Sequence, residues 1–219
     1  MRILALDAAL ARCSAAVLEG TTVLAHEAAP GGRGQPALLA PMASRVLAAS
    51  AIPATALDAI AVTVGPGSFA GLRSAIALAQ GLALAAGRPV IGVRVAEALA
   101  ATLALPPGRA LWVAIDSRRN RIFLDRDGQI APVALDALPR PSCPVALAGD
   151  AAIEVACRLA ARGADVMLTD ARLPDAVAVA RIGALRLAGA LPPLAAQPLY
   201  IDPPEAKLPA GGLRPAPVP

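Results

Sequence analysis

Residues 64–73, Val-Gly-Pro-Gly-Ser-Phe-Ala-Gly-Leu-Arg, put three glycines and a proline between a strand-like run and a long Ala/Leu segment. Asp58 to Val64 is short, apolar and rich in β-branched residues, which reads as a buried strand; residues 69–86 have helix composition. The junction is therefore a strand-to-helix turn, a connection that belongs to α/β layering. Three uses of it are open. The N–H groups of Gly65, Gly67 and Ser68 can cradle a phosphate at the helix N-terminus, with Asp7 as a further candidate for the same phosphate site. Ser68 can cap the helix, or the glycines can let the helix pack closely on its sheet. Neither a Gly-Lys-Ser/Thr ending nor a complete GxGxxG accompanies the turn.

The flanking sequence is consistent with that layering. Runs at 2–7, 12–18 and 21–28 predict three strands in an antiparallel meander. Residues 35–50 place Leu38, Leu39, Met42, Val46 and Ala49 at helical spacing, with Pro36 suited to the helix start and Pro41 expected to bend or delay it. A strand at 89–93 and a helical run from 94 to 105 follow the glycine turn. Leu105-Pro106-Pro107-Gly108 marks a boundary. Beyond it the pattern predicts a hairpin (110–116 and 121–125) around Ser117–Asn120, strands at 144–148 and 165–168, and helices at 150–162 and 175–189. The expected organisation is an N-terminal subdomain over 1–105, a smaller and irregular C-terminal subdomain over 106–208, and a disordered tail over 209–219.

Hydrophobic residues make up 57% of the chain, a membrane-like fraction, but much of it is alanine. The most apolar window, 69–86, contains Arg73 and Gln80, and the first residues lead straight into a strand pattern, so a soluble cytoplasmic protein with no membrane contact is expected. Cys13, Cys143 and Cys157 fit neither a disulfide framework nor a zinc site. The net charge of +4 rests on arginine, Lys207 being the single lysine. With Phe69, Trp112, Phe123 and Tyr200 as the only aromatics, there is no row of rings for splayed bases, which argues against independent RNA binding. His26 is the only histidine. A Ser/His/Asp triad would require it to meet Ser14 or Ser68, so neither a catalytic residue nor a metal ligand is expected.

GPGSFAGLR, the following AIALAQGLALAAGRPVIGV, the opening RILALDAALARCSAAVLEG and the later QPLYIDPPEAKLP resemble the TsaB family, glycoprotease-like paralogues of TsaD. The resemblance is strong over 1–95 and weak over 125–195. It implies an actin/sugar-kinase/Hsp70-like (ribonuclease H-like) fold in two small subdomains. It also implies a non-catalytic partner of TsaD in placing threonylcarbamoyl on the adenosine beside the tRNA anticodon. On this reading TsaD (as a heterodimer), the ATPase TsaE and a second copy of this chain (as a homodimer) are the partners, and tRNA is reached only through the complex. No cofactor of its own is implied, with ATP or ADP a candidate at the complex interface. The superfamily often keeps a phosphate- or metal-organising aspartate where Asp7 stands, but Ala8 replaces the hydroxyl residue that commonly follows it.

The 69–86 helix is apolar nearly all round, with Phe69, Leu72, Ile76, Ala79 and Ala83 on one stripe and Gly71, Ala75, Leu78, Leu82 and Ala85 on the next. Such a helix is buried on more than one side. It can be sandwiched within one domain or shared with a second subunit; the resemblance favours pairing through the helices at 35–50 and 69–86. The implied interface is Leu38, Leu39, Met42, Arg45, Arg73, Ala77, Leu78, Gln80, Gly81 and Leu82. Asp116-Ser117-Arg118-Arg119-Asn120-Arg121, more basic than the family's usual Asp-Ala-Arg, is either a solvated hairpin tip or a contact for TsaD, TsaE or tRNA phosphate. Two enzyme readings stand beside this one: an ATPase or small-molecule kinase using Asp7 and the glycine turn, and a glycoprotein peptidase.

Overall fold

The computed structural model describes residues 1–31, 35–118 and 120–201; Arg119, Lys207 and the tail expected over 209–219 lie outside these. Among the described residues the chain forms two five-stranded sheets. The first is built from β1 (Arg2–Asp7), β2 (Arg12–Glu19), β3 (Thr22–Pro30), β4 (Ala59–Gly65) and β5 (Val90–Arg94), in the order β3-β2-β1-β4-β5. β1, β2 and β3 are the expected antiparallel meander, and β4 and β5 add in parallel. Parallel addition needs crossovers, and these are α1 (Gln35–Ser50) and α2 (Phe69–Ala86). α1 starts at Gln35 and runs on through Pro41, so the proline does not delay it. The carbonyl left without a donor belongs to Ala37, which is exposed to water.

Both faces of this sheet are covered, which is why β1 and β4 read as continuous apolar runs. Leu4, Leu6, Cys13, Ala15, Val17, Ile60 and Val62 point to α1 and α2. Their neighbours Ile3, Ala5, Ala16, Leu18 and Ala61 point the other way. What covers that second face comes from far along the chain: α5 (Ala176–Leu187) lies across β1, β2 and β4. At Gly183 a side chain would press into the Ala61 methyl, so the glycine sets how closely the helix approaches. Arg186, nearly buried, then binds Glu97 at 2.6 Å and the carbonyls of Gly92 and Pro192.

The second sheet repeats the first. β6 (Ala110–Asp116), β7 (Arg121–Arg126), β8 (Gln129–Ala134), β9 (Val145–Ala148) and β10 (Val166–Leu168) lie in the order β10-β9-β6-β7-β8. β6, β7 and β8 form an antiparallel meander, and β9 and β10 add in parallel. The second half is thus regular where irregularity was expected. α4 (Ala152–Ala161) occupies the place of α2 and buries Ala152, Val155 and Leu159 against Trp112, Leu124 and Leu147. Ala9, Leu10 and Leu72 of the first half meet Val113, Ile115 and Ala148 of the second in one apolar cluster, joined by α3 (Val95–Ala100) through Val95 and Leu99. α3 is shorter than the expected run to 105, ending where Thr102 Oγ1 donates to the Leu99 carbonyl ahead of the prolines.

A division at residue 105 leaves α5 on the wrong side. So too with 194–199, where the Gly92 N–H donates to the Leu194 carbonyl and the Leu199 N–H to the Val64 carbonyl. This strap seals the β5 edge, and Gly92 leaves the room that a side chain would take from the Ala195 carbonyl.

Candidate functional site

Two of the three uses of the glycine turn are made in the structure, the helix cap and the close packing. The Ser68 N–H donates to the Ala9 carbonyl at 2.7 Å, and Ser68 Oγ accepts from the Gly71 N–H at 3.2 Å, the expected cap. A Cβ on Gly67 would collide with the Ala9 carbonyl oxygen and one on Gly71 with that of Ala8. Gly65, at φ +117°, backs onto the Leu72 side chain and the Leu199 carbonyl. The glycines therefore let α2 press against the β1–β2 turn, and the Ser68 and Gly71 donors are already bonded within the protein.

Asp7, the fourth phosphate candidate, is fully buried at the end of β1. Its Oδ1 accepts from Thr63 Oγ1 at 2.6 Å and from the Ala9 N–H at 3.2 Å, and its Oδ2 meets no donor. Loss of hydration pushes its pKa up to about 7 against the opposing pull of those two hydrogen bonds and of Arg12. His26 Nε2 lies 3.1 Å from Oδ2 of Asp175, whose Oδ1 caps α5 at the Val177 N–H. Ser14 is buried, with its hydroxyl oxygen accepting from the Ala176 N–H at 2.9 Å. The one histidine and the candidate serine on β2 thus both serve to hold the start of α5. Among the described residues no group of three or more His, Cys, Asp or Glu is placed to hold a metal.

The helix pair divides the ten expected interface residues. Leu39 and Met42 belong to the core, since α1 turns them onto β2. Leu78 and Leu82 are half-buried against the same core. Arg45 is exposed but turned to the β3 edge, where both Glu27 oxygens accept from it and lower the Glu27 pKa. Leu38, Arg73, Ala77, Gln80 and Gly81 are exposed. What the periodicity missed is that Phe69, counted with the buried stripe, is 60% exposed, and that Leu84, on the same side of α2, is 87% exposed. Phe69, Ala70, Arg73, Ala77, Gly81 and Leu84 run the length of the helix as an uncovered strip. Length and hydropathy alone would let α2 cross a membrane. Its other face, with Leu72, Ala75, Ile76, Ala79 and Ala83, is core.

In the second half, at the turn after β6, Arg118, Asn120 and Arg121 line an open cavity of about 580 Å³ with Asp116, Asp150 and Glu154. Arg118 adopts the left-handed conformation and pairs with Asp116 at 3.3 Å. Asp150, its pKa raised by burial, accepts from the Asp116 N–H at 2.9 Å. The arginines here stand among carboxylates, so the tip is less basic than its sequence.

Two sheets of one topology, each a meander extended by parallel strands, with helices crossing between them, define a protein of the actin-like and sugar-kinase ATPase fold. The likeness extends to component A of (R)-2-hydroxyglutaryl-CoA dehydratase from Acidaminococcus fermentans, at a TM-score of 0.51 and 12% identity over 86% of this chain and 99% of that one. The chain belongs to the family described as TsaD: tRNA N6-adenosine threonylcarbamoyltransferase, whose model matches residues 33–146. Within it the similarity is to TsaB. The chain is 40% identical to the tRNA threonylcarbamoyladenosine biosynthesis protein TsaB of Escherichia coli (strain K12), over 56% of this chain and 53% of that protein. With the Haemophilus influenzae protein of the same name it shares 35% identity over 58% of its own length and 53% of the other. The matched part spans about half the length of these curated relatives. A Pseudomonas aeruginosa structure, described as an uncharacterized protein with similarity to peptidase YEAZ, superposes at a TM-score of 0.76 and 26% identity, over 92% of this chain and 99% of that one.

Proposed function

We propose that this chain is a non-catalytic subunit of the machinery that makes threonylcarbamoyladenosine in tRNA, acting in the cytoplasm. It docks on TsaD through α2 and the adjoining part of α1. It holds TsaD in the form that transfers threonylcarbamoyl from threonylcarbamoyl-adenylate to the adenosine beside the anticodon. TsaE engages the pair, tRNA is reached through the complex, and any ATP or ADP sits at the boundary between subunits. The free chain pairs with a second copy through the same face.

The observation that carries this is the uncovered strip of α2. A Cβ at Gly81 would meet nothing within 4 Å, so the chain's own packing gives no reason for a glycine there. A glycine in a helix interior costs about 1 kcal/mol relative to alanine. Close approach by another helix explains that cost, and Leu84 beside it supplies apolar area to bury. The family model spans both α1 and α2, so a TsaD-family partner carries counterparts of the two helices, and related helix pairs can meet about a pseudo-twofold axis.

The test is threonylcarbamoyladenosine formation on purified tRNA with TsaD, TsaE and the adenylate-forming enzyme of the same organism, with and without this chain. Dependence on the chain, lost with Leu84→Asp and with Gly81→Leu, is the expected result. Full modification in its absence overturns the reading.

A further inference from the structure

At the N-terminal end of the α2 strip, the strap brings Tyr200 over the helix. The Leu194 carbonyl accepts from the Gly92 N–H, the Ala196 carbonyl from Gln80 Nε2 at 3.2 Å, and the Leu199 N–H donates to the Val64 carbonyl at 2.7 Å. So anchored, Tyr200 is 55% exposed, and its hydroxyl accepts from Arg73 Nε at 2.9 Å. The Arg73 guanidinium lies on the Phe69 ring, 3.7 Å from its centroid, and 5.7 Å from the centre of the Tyr200 ring. Two of the chain's four aromatics, more than a hundred residues apart in sequence, thus clamp one exposed arginine.

That arginine differs from others in the molecule. Arg2, Arg12, Arg45, Arg109, Arg158 and Arg186 each meet a carboxylate within 3.6 Å. Among the described residues no carboxylate pairs with Arg73, whose bonded group is Nε and whose terminal amino groups are left to make a two-pronged contact. Held by two rings, it has little rotamer freedom left to lose on binding.

We propose that Arg73, clamped by Phe69 and Tyr200, receives a carboxylate side chain of the protein that docks on α2. This rests on the docking face proposed above and adds its polar anchor, in which the strap is a working part. A protein fits better than a nucleobase: the guanidinium already covers the Phe69 face on which a base would stack, and Ala70, Ala77 and Gly81 beyond it suit a close-packed helix.

The experiment is titration of purified TsaD of the same organism with the full chain and its variants, at two salt concentrations, with melting temperatures as a check on folding. Arg73→Leu and Tyr200→Ala are expected to raise Kd about tenfold or more. Tyr200→Phe, which keeps the ring and loses only the hydroxyl, is expected to raise it about threefold. The salt dependence of the native chain is expected to diminish in Arg73→Leu. If Gly81→Leu abolishes binding while Arg73→Leu and Tyr200→Ala bind as the native chain does, the anchor is refuted and the docking face stands. If Gly81→Leu binds normally, or the native chain does not bind TsaD, the docking face falls and the anchor with it. Loss of affinity for tRNA alone in Arg73→Leu, with TsaD binding unchanged, would make a nucleic acid the occupant and overturn the proposal.

Discussion

Asp7 offers the most direct test of the electrostatics inside the first sheet. Its carboxyl is fully buried and its pKa stands at about 7, against an ordinary value of 3.8. The folded chain therefore holds this proton more tightly than the unfolded chain, so the contribution is fully present below pH 4 and is lost as pH rises through about 7. The full cost of ionising the group in place is about 4 kcal/mol, since each tenfold change in proton affinity is worth about 1.4 kcal/mol. Between pH 5 and pH 8 the part that titrates is about 2.5 kcal/mol. Asp7→Asn removes the titration and keeps an oxygen for Thr63 and the Ala9 N–H, but sets an amide N–H₂ where Oδ2 now lacks a partner. That amide costs about 1–3 kcal/mol at either pH. The difference between the two pH values is thus the clean quantity: relative to the native chain, the variant should gain about 2.5 kcal/mol from pH 5 to pH 8, or roughly 5–10 °C in melting temperature for a chain of this size. Urea unfolding followed by circular dichroism at both pH values measures it. Asp125 and Asp150, both raised by burial, titrate alike in the two proteins and cancel. An offset between variant and native chain that is the same at pH 5 and pH 8 would refute the reasoning, because Asp7 would then be equally charged in both folded states.

Three further outcomes follow from the packing. Gly71→Ala should destabilise the chain by about 2 kcal/mol or more in urea unfolding, because its Cβ runs into the Ala8 carbonyl; Gly81→Ala, in open space on the same helix, should stabilise it by about 0.5–1 kcal/mol. Arg186→Met should cost about 3 kcal/mol, since it leaves the Glu97 carboxylate with only the Arg94 N–H and removes the donors to the Gly92 and Pro192 carbonyls.

Local signals made the first sheet and its two crossover helices legible: the meander's short runs, the glycine turn and the Ala/Leu period after it. β8 was not, because Gln129–Ala134 carries Pro132 and looks like loop; it survives as a strand because it is an edge, where a missing N–H costs no ladder bond. The duplication was hidden for another reason. The halves share strand order and direction but not residues, and α4 caps β9 through a sequence with no glycine-rich turn beyond Gly149. Of the candidate interface, periodicity placed Arg73, Ala77 and Gly81 on the helix but could not fix how far it is rotated on the sheet. A rotation of one residue decides whether Phe69 is core or surface, and the position of Ala8 and Ala9 against Gly67 and Gly71 sets it. Tyr200 reaches Arg73 only through the strap, a long-range placement with no local signature.

The crossing of α5 has a consequence for how the protein comes into being. The sheet formed by the first hundred residues has an apolar face of Ile3, Ala5, Ala16, Leu18 and Ala61 whose main cover, among the described residues, is residues 176–187. During synthesis most of that face waits while the whole second sheet is made, and native closure depends on a segment that leaves the ribosome late. Apolar surface left open in an incomplete chain is what makes such species prone to aggregation. An interruption after β5 and before α5 yields a product with the first sheet's strands present and that apolar face without its main cover.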